Sequence, residues 1–271
     1  MKMISDLHTH TTASDEQYTP AQLVGLARQH GLQVLAVTDH DTVAGVDEAV
    51  AAGDALNLRV IRGVELSAAE HDNFHILGYG FASGEPALTR LCERLRADRE
   101  ERKYKILEFL REKGVEIDLA EVEELAGDGV TGRPHFARVL VKRGYVSTNR
   151  EAFDRYLDSA EYRRRVIRSK AAARTCVEAV KAAGGRVSLA HPYQIELPDD
   201  ELEALVAQLK DWGLDAIECY YPKYTPEQQA LYLRLAEKYQ LHQTGGSDFH
   251  GEKVKPDVQL ARWPMDVDWL S

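Results

Sequence analysis

The stretch Met3-Ile4-Ser5-Asp6-Leu7-His8-Thr9-His10 is a short, largely aliphatic run that ends in two histidines two positions apart. Alternate residues of a strand face the same side, so His8 and His10 can offer two imidazoles to one ion. The pattern repeats down the chain. Runs at Val34 to Val37, Arg59 to Val64, Phe74 to Phe81, Arg186 to Leu189, Ala216 to Cys219 and Leu241 to Thr244 read as buried strands. Pro20 to His30, after Thr19, and Pro226 to Tyr239, after Thr225, read as amphipathic helices with proline in the first turn. Strands alternating with helices predict an α/β fold on a parallel sheet or barrel, whose sites form at the carboxyl ends of the strands.

The alternation fails between about Leu88 and Ala183. There charged helical sequence dominates, at Leu91 to Lys113, Leu119 to Ala126, Pro134 to Arg143 and Arg150 to Tyr156, punctuated by Gly114, Gly127, Gly129, Gly132 and Gly144. We therefore expect a barrel domain over residues 1–94 and 169–271 and a small all-helical insertion over residues 95–168, carried as a lid.

Chemistry clusters at the predicted strand ends. Asp15 follows the first histidine pair and can reach the same cluster or cap a turn. The second strand ends in Thr38-Asp39-His40-Asp41, and the third in Gly63-Val64-Glu65, where a carboxylate can bridge two cations. His75 lies early in its strand between apolar neighbours, and a hydrogen-bonded core histidine is the alternative reading there. His191 closes the fifth strand, with Pro192 halting it, and Asp248 and His250 follow the last in Gly245-Gly246-Ser247-Asp248-Phe249-His250. Six strand ends bearing His, Asp or Glu are hard to reconcile with packing, because an unpaired buried polar group costs free energy. One shared polynuclear site accounts for all of them. Imidazole and carboxylate donors without thiolate suit Mn, Fe, Zn or Co over a purely oxygen-ligated Ca or Mg. Two such ions about 3.5–4 Å apart can share a bridging hydroxide, lower the pKa of its parent water and clamp phosphoryl oxygens.

Composition is consistent with this. The chain has 271 residues, 44% hydrophobic and 29% charged, enough for one large core or a core with a small insert. No apolar run approaches the roughly 18 residues of a membrane span, and the first residues lack a signal-peptide core, so we expect a soluble cytoplasmic protein. Cys92, Cys176 and Cys219 show no Cys-x-x-Cys spacing and read as reduced packing residues. A net charge of -10 disfavours a groove that tracks long nucleic acid, while leaving a small anionic substrate or a short oligonucleotide open, since bound cations invert the local sign. No obligatory protein partner is evident. No phosphate-binding glycine loop, Gly-x-Ser-x-Gly elbow or cysteine nucleophile competes for the chemistry.

The set His8-Thr9-His10, Asp15, Thr38-Asp39-His40, Gly63-Val64-Glu65, His75, Ala190-His191-Pro192 and Ser247-Asp248-Phe249-His250 closely resembles the PHP (polymerase and histidinol phosphatase) superfamily across the whole chain outside the insert. The resemblance implies a distorted (β/α)7 barrel with a trinuclear metal centre that hydrolyses phosphomonoesters or phosphodiesters. It assigns His8, His10, Glu65 and Asp248 to one metal, with Glu65 bridging to a second held by His75 and His191, and Asp15, His40 and His250 to a third. Glu65, His191 and Asp248 are thereby expected in the catalytic machinery, and Asp6 and Asp39 as partners that fix imidazole tautomers.

The insert resembles that of the subgroup acting on nucleotides and other small phosphorylated metabolites, through Gly132-Arg133-Pro134-His135. Arg133 would offer a bidentate fork to a phosphate, with His135 close by. The same residues also fit a plain helix start. Glu161-Tyr162-Arg163-Arg164-Arg165-Val166-Ile167-Arg168 is more basic than that subgroup leads one to expect, fitting either a second phosphate or a solvated face.

The function expected is therefore hydrolysis of phosphate esters of small metabolites, such as nucleotides, nucleoside bisphosphates or sugar phosphates, by metal-bound hydroxide, with two or three Mn, Fe or Zn ions. Asp248 or a site histidine would protonate the leaving oxygen. The alternatives are a phosphodiesterase, opening a cyclic phosphate or trimming short oligonucleotides from the 5' end, and a non-catalytic metal-binding module.

Overall fold

Each aliphatic run becomes a strand. The computed structural model describes residues 2–14, 16–71, 73–126, 131–166 and 170–270. Its strands are β1 Lys2–Thr9, β2 Val34–Val37, β3 Arg59–Ser67, β4 His75–Tyr79, β5 Arg186–Leu189, β6 Ala216–Tyr220, β7 His242–Gly245 and β8 Trp263–Asp266. They form one sheet in the order β7-β6-β5-β4-β3-β2-β1-β8. The chain leaving β7 then returns to β1. Asp248 N donates to His8 O at 2.9 Å, and His10 N to Phe249 O at 3.0 Å, which nearly closes the sheet into a distorted barrel.

Two features depart from the parallel sheet read from the sequence. β4 runs antiparallel to both β3 and β5. Only residues 68–74 separate β3 from β4, too few for the crossover of a dozen or more residues that a parallel connection requires. β8 was not foreseen and pairs antiparallel with β1 at one end of the strand order. Its Pro264 disguises it in the sequence, since proline is tolerated in strands only where a ladder bond can be forgone.

The helices are α1 Pro20–Gln29, α2 Val46–Leu56, α3 Pro86–Glu112, α4 Leu119–Ala126, α5 Arg133–Lys142, α6 Asn149–Ala152, α7 Ala160–Arg165, α8 Ala173–Ala182, α9 Asp199–Trp212 and α10 Pro226–Lys238, with a π-helical turn at Phe153–Leu157. α1 and α10 open on reciprocal caps. The hydroxyls of Thr19 and Thr225 accept from the backbone N–H of Gln22 and Gln228, whose side chains accept in return from the threonine N–H groups. α9 starts with Asp199, Asp200 and Glu201, which complement its positive end. No helix among the described residues is long and apolar enough to cross a membrane.

The chain forms two compact units, Met1–Glu93 with Lys170–Ser271, and Arg94–Ser169. In the first, Leu23, Val24 and Ala27 of α1 pack with Leu35 and Val37 of β2, while Val34 and Ala36 pack with Leu7, Ile61 and Leu77. β2 is thus buried on both faces, as a strand inside an α/β fold must be. The second unit has its own apolar core, including Phe109, Leu110, Phe136, Leu140, Leu157 and Tyr162. Gly127, Gly129, Ile167 and Arg168 lie outside the described residues.

α5 begins with a buried cap: Gly132 N donates to His135 Nδ1 at 3.0 Å. Burial, with Arg138 adding to it, pushes the His135 imidazole down to about 4, so the folded unit holds it neutral. Between about pH 6.5 and 4 the unfolded chain binds a proton that the folded chain does not. Stability of the second unit should therefore fall as pH drops through that window, by on the order of 2 kcal/mol. His135→Gln preserves an acceptor at the cap and removes the proton. Denaturant titration across this window should show a shallower pH dependence in that variant.

Candidate metal centre

The buried carboxylate of Glu65 organises the site. β3 continues past the predicted end at Val64 to Ser67, so Glu65 sits inside a paired strand, opposite Leu77 of β4. Glu65 Oε1 lies 2.8 Å from His75 Nδ1, 3.0 Å from His191 Nε2 and 3.3 Å from His8 Nε2. Glu65 Oε2 lies 2.8 Å from His40 Nδ1 and 3.4 Å from His10 Nε2. Five imidazoles from four segments therefore converge on one carboxylate. Asp248 joins from the far side, with Oδ1 at 3.2 Å from His10 Nε2 and 3.3 Å from His250 Nδ1.

Backbone geometry delivers these groups. Asp41 and Asp248 adopt left-handed φ values of 54° and 56°, a region that aspartate tolerates, and turn the chain sharply after β2 and β7. His191 adopts φ 21° as β5 gives way to Pro192. Gly246 allows the β7 end to approach β1: a Cβ there would lie 2.3 Å from His8 Cβ.

Carboxylates beneath the site fasten its loops. Asp6 accepts from Ser247 N and Oγ and from Ala261 N, at 2.6–2.9 Å. Asp39 accepts from Thr11 N and Oγ1 and from Ser14 Oγ, at 2.6–2.8 Å. Asp41 accepts from Ser67 N and Oγ. The role expected of Asp6 is corrected accordingly, since its bonds go to backbone groups and a hydroxyl. The ladder of β1 shifts register between Asp6 and Thr9, so simple alternation does not carry from Asp6 to His8. The carboxylate that meets the His8 ring at its Nδ1 is Glu218 of β6, at 3.3 Å.

The electrostatics favour cations. Burial alone would raise the Glu65 carboxyl, but the imidazoles of His40, His75 and His8 overcome it and hold Glu65 well below the usual carboxylate range. Asp248 is likewise held low against burial, by Lys255 and His250. Burial pushes the rings of His10, His40 and His250 down to about 3, leaving them neutral with lone pairs to donate. His8 shifts the other way, because Glu65 and Glu218 outweigh its burial; a cation binding there displaces a proton.

The donor set fits divalent metal. Among the described residues, His8 Nε2, both ring nitrogens of His10, His40 Nδ1, Glu65 Oε2 and His191 Nδ1 are buried without a hydrogen bond of acceptable geometry. Native interiors rarely leave such atoms unsatisfied. Three sets of donor atoms lie within 4.8 Å of one another: His8, His10, Glu65 and Asp248; His40, Glu65 and His75; and His10, His40 and His250. His191 adjoins the second, with Nε2 3.3 Å from His75 Nδ1.

Of the residues expected at the centre, His8, His10, His40, Glu65, His75, His191, Asp248 and His250 come together, while Asp15 lies outside the described residues. Arg133 and His135 belong to the second unit. Arg133 NH1 donates to Asp158 Oδ1 at 2.9 Å, and Asp158 Oδ2 accepts from Arg163. Sequence reasoning did not find Glu16, whose Oε1 lies 3.2 Å from His250 Nε2, nor Glu218. It also missed Tyr221 and Lys255, which donate to Asp248 Oδ2 at 3.0 and 2.7 Å. Only Glu218 left a signal, as a carboxylate in the otherwise apolar Ala216-Ile217-Glu218-Cys219.

Comparison with known proteins agrees with this geometry. The PHP domain profile matches residues 6–170. A 5'-3' exoribonuclease of Haemophilus influenzae is 36% identical over 90% of this chain and 89% of its own. A phosphoribosyl 1,2-cyclic phosphate 1,2-diphosphodiesterase of Eggerthella lenta is 34% identical over 92% of this chain and 95% of its own. Among solved structures, a metal-dependent phosphoesterase from Bifidobacterium adolescentis superposes with a TM-score of 0.82 at 32% identity, covering 98% of this chain and 93% of that one.

Unsatisfied donors that a cation would satisfy make metal a stabilising ligand. Manganese at about 100 times its Kd should stabilise the fold by about 2.7 kcal/mol and raise the melting temperature of the EDTA-stripped protein by at least about 5 °C. A scan with and without metal, followed by chelator, measures this.

Proposed function

The chain belongs to the PHP domain family and is a metal-dependent phosphoesterase, and from that premise we propose that it hydrolyses small ribose phosphates. This class includes nucleotides, nucleoside bisphosphates and short 5'-phosphorylated oligoribonucleotides. The observation that carries the reading is the convergence of five imidazoles on the two oxygens of Glu65, with Asp248 facing them.

We assign His8, His10, Glu65 and Asp248 to one ion, His75 and His191 with Glu65 to a second, and His40 and His250 to a third completed by Asp15. The mixed nitrogen and oxygen donors favour Mn, Fe or Zn. When bound, such ions act as Lewis acids on phosphoryl oxygens and make water acidic enough to attack phosphorus near neutral pH.

The side chains do the rest. Hydrolysis forms one P–O bond from water and breaks the ester P–O bond, and the departing ribose oxygen takes up a proton. Asp248, held as a carboxylate, is placed to accept the proton released by the attacking water and pass it to that oxygen. Tyr221 and Lys255, on Asp248 Oδ2, hold the carboxylate so that Oδ1 faces His10. Arg133 of the Gly-Arg-Pro-His segment offers a bidentate fork suited to a phosphate.

Two features support a ribose phosphate over other esters. Both enzyme relatives described above are named for ribose phosphate substrates. The net charge of -10 suits a short anion held by ions better than a long polymer tracked by lysines and arginines. The naming of both relatives as diester-cleaving enzymes favours diesters as the preferred ester.

The manganese-loaded protein should turn over 5'-phosphorylated di- and triribonucleotides, nucleoside 3',5'-bisphosphates or cyclic ribose phosphates at least about tenfold faster than hexose phosphates, judged by kcat/KM. Asp248→Ala should lose on the order of 100-fold or more. Hexose phosphates preferred over every ribose phosphate would refute the substrate class. Arg133→Ala should raise KM while leaving kcat nearly unchanged, as expected for a group that binds ground and transition states alike.

A further inference from the structure

Glu218 is fully buried on β6 and reaches the centre from beneath. Its two oxygens divide their work: Oε1 meets His8 Nδ1 at 3.3 Å, and Oε2 accepts from His191 N at 2.7 Å. His191 has the φ of 21° noted above, a conformation that costs free energy unless its surroundings enforce it. Glu218 is itself held in place, since Tyr224 OH donates to its carbonyl at 3.0 Å. It is not in the donor sets, because the His8 ring stands between it and the other carboxylates, with Nε2 directed to Glu65 and Asp248.

We propose that Glu218 is a positioning residue that sets the metal-binding competence of two ligands at once, fixing His8 as the Nδ1–H tautomer and pinning the strained backbone of His191. A carboxylate can only accept at both oxygens, so Glu218 holds a proton on His8 Nδ1, and the proton that an ion displaces is the one on Nε2, between the ring and Glu65. Glutamine breaks this symmetry. Its single oxygen is claimed by His191 N–H, which turns the amide NH2 toward His8 Nδ1. That nitrogen must then accept, the ring proton moves to Nε2, and the donor atom is blocked. Volume and the His191 bond are preserved.

The inference rests on the metal-centre reading, and the test separates the two. In the zinc-loaded wild-type protein, 15N NMR of the His8 ring should show Nδ1 protonated; a ring bound through Nδ1 overturns the proposal without any variant. Manganese affinity by competition dialysis should fall about 10- to 100-fold in Glu218→Gln, with an unchanged circular dichroism spectrum. The ring should then report the Nε2–H form. Unchanged affinity in a folded Glu218→Gln protein overturns the inference and leaves the metal centre standing, whereas failure of wild type to bind manganese overturns the metal-centre reading itself.

Discussion

Glu65 surrounded by five imidazoles is the constraint on which the rest of the structure depends. A carboxylate with no exposure is expensive to bury, and the rings of His40, His75 and His8 offset that cost by charge only so far as they hold protons of their own. The cluster makes physical sense as half of a site whose other half is cationic. A divalent ion supplies the missing charge and takes up the lone pairs of His8, His10, His40 and His191. Because those rings come from β1, the β2 end and the β5 end, the sheet must curl until these segments face one another.

That demand explains the carboxylates beneath the centre. Asp6 binds the loops after β7 and before β8, and Asp39 binds the loop after β1. Asp41 ties the turn after β2 to the end of β3. Each gathers several donors from separate segments onto one buried carboxyl and so fixes loop geometry, although at Asp6 burial still outweighs its donors and pushes the carboxyl up to about 6. A metal site needs its ligands held tightly, and loops at strand ends are otherwise the least fixed parts of a barrel.

The strands and most of the ligands were legible because they share a simple code: aliphatic run, then a donor. His8, His10, His40, His191 and Asp248 all follow it. Glu65 was found although β3 runs beyond it, since a carboxylate bounded by Val64 and Leu66 has little other business in a core. The antiparallel course of β4 was implicit in the seven residues that precede it but was masked by the general alternation. Residues that act through others were harder. Asp6 was expected from the resemblance to fix a ligand imidazole, but its bonds go to Ser247, Ala261 and the backbone of His8. Glu218 left a signal as the one carboxylate in an apolar run, but it lies 27 residues beyond His191 and 210 from His8, so only the folded barrel shows which ligands it meets.

The centre explains reactivity and leaves selectivity to other parts of the chain. The groups gathered there are imidazoles and carboxylates, donors suited to an ion. Relatives with comparable identity and near-complete coverage carry different substrate names, which fits a conserved reaction core whose selectivity varies outside it. The buried strand-end cluster is costly to alter, because each ligand also satisfies its neighbours. Arginines on solvated helices can change with little effect on the fold. Arg133 and Arg163 meet the same half-buried carboxylate, Asp158, a contact that stabilises little. Selectivity is therefore physically easiest to change where the chain is least committed to holding metal.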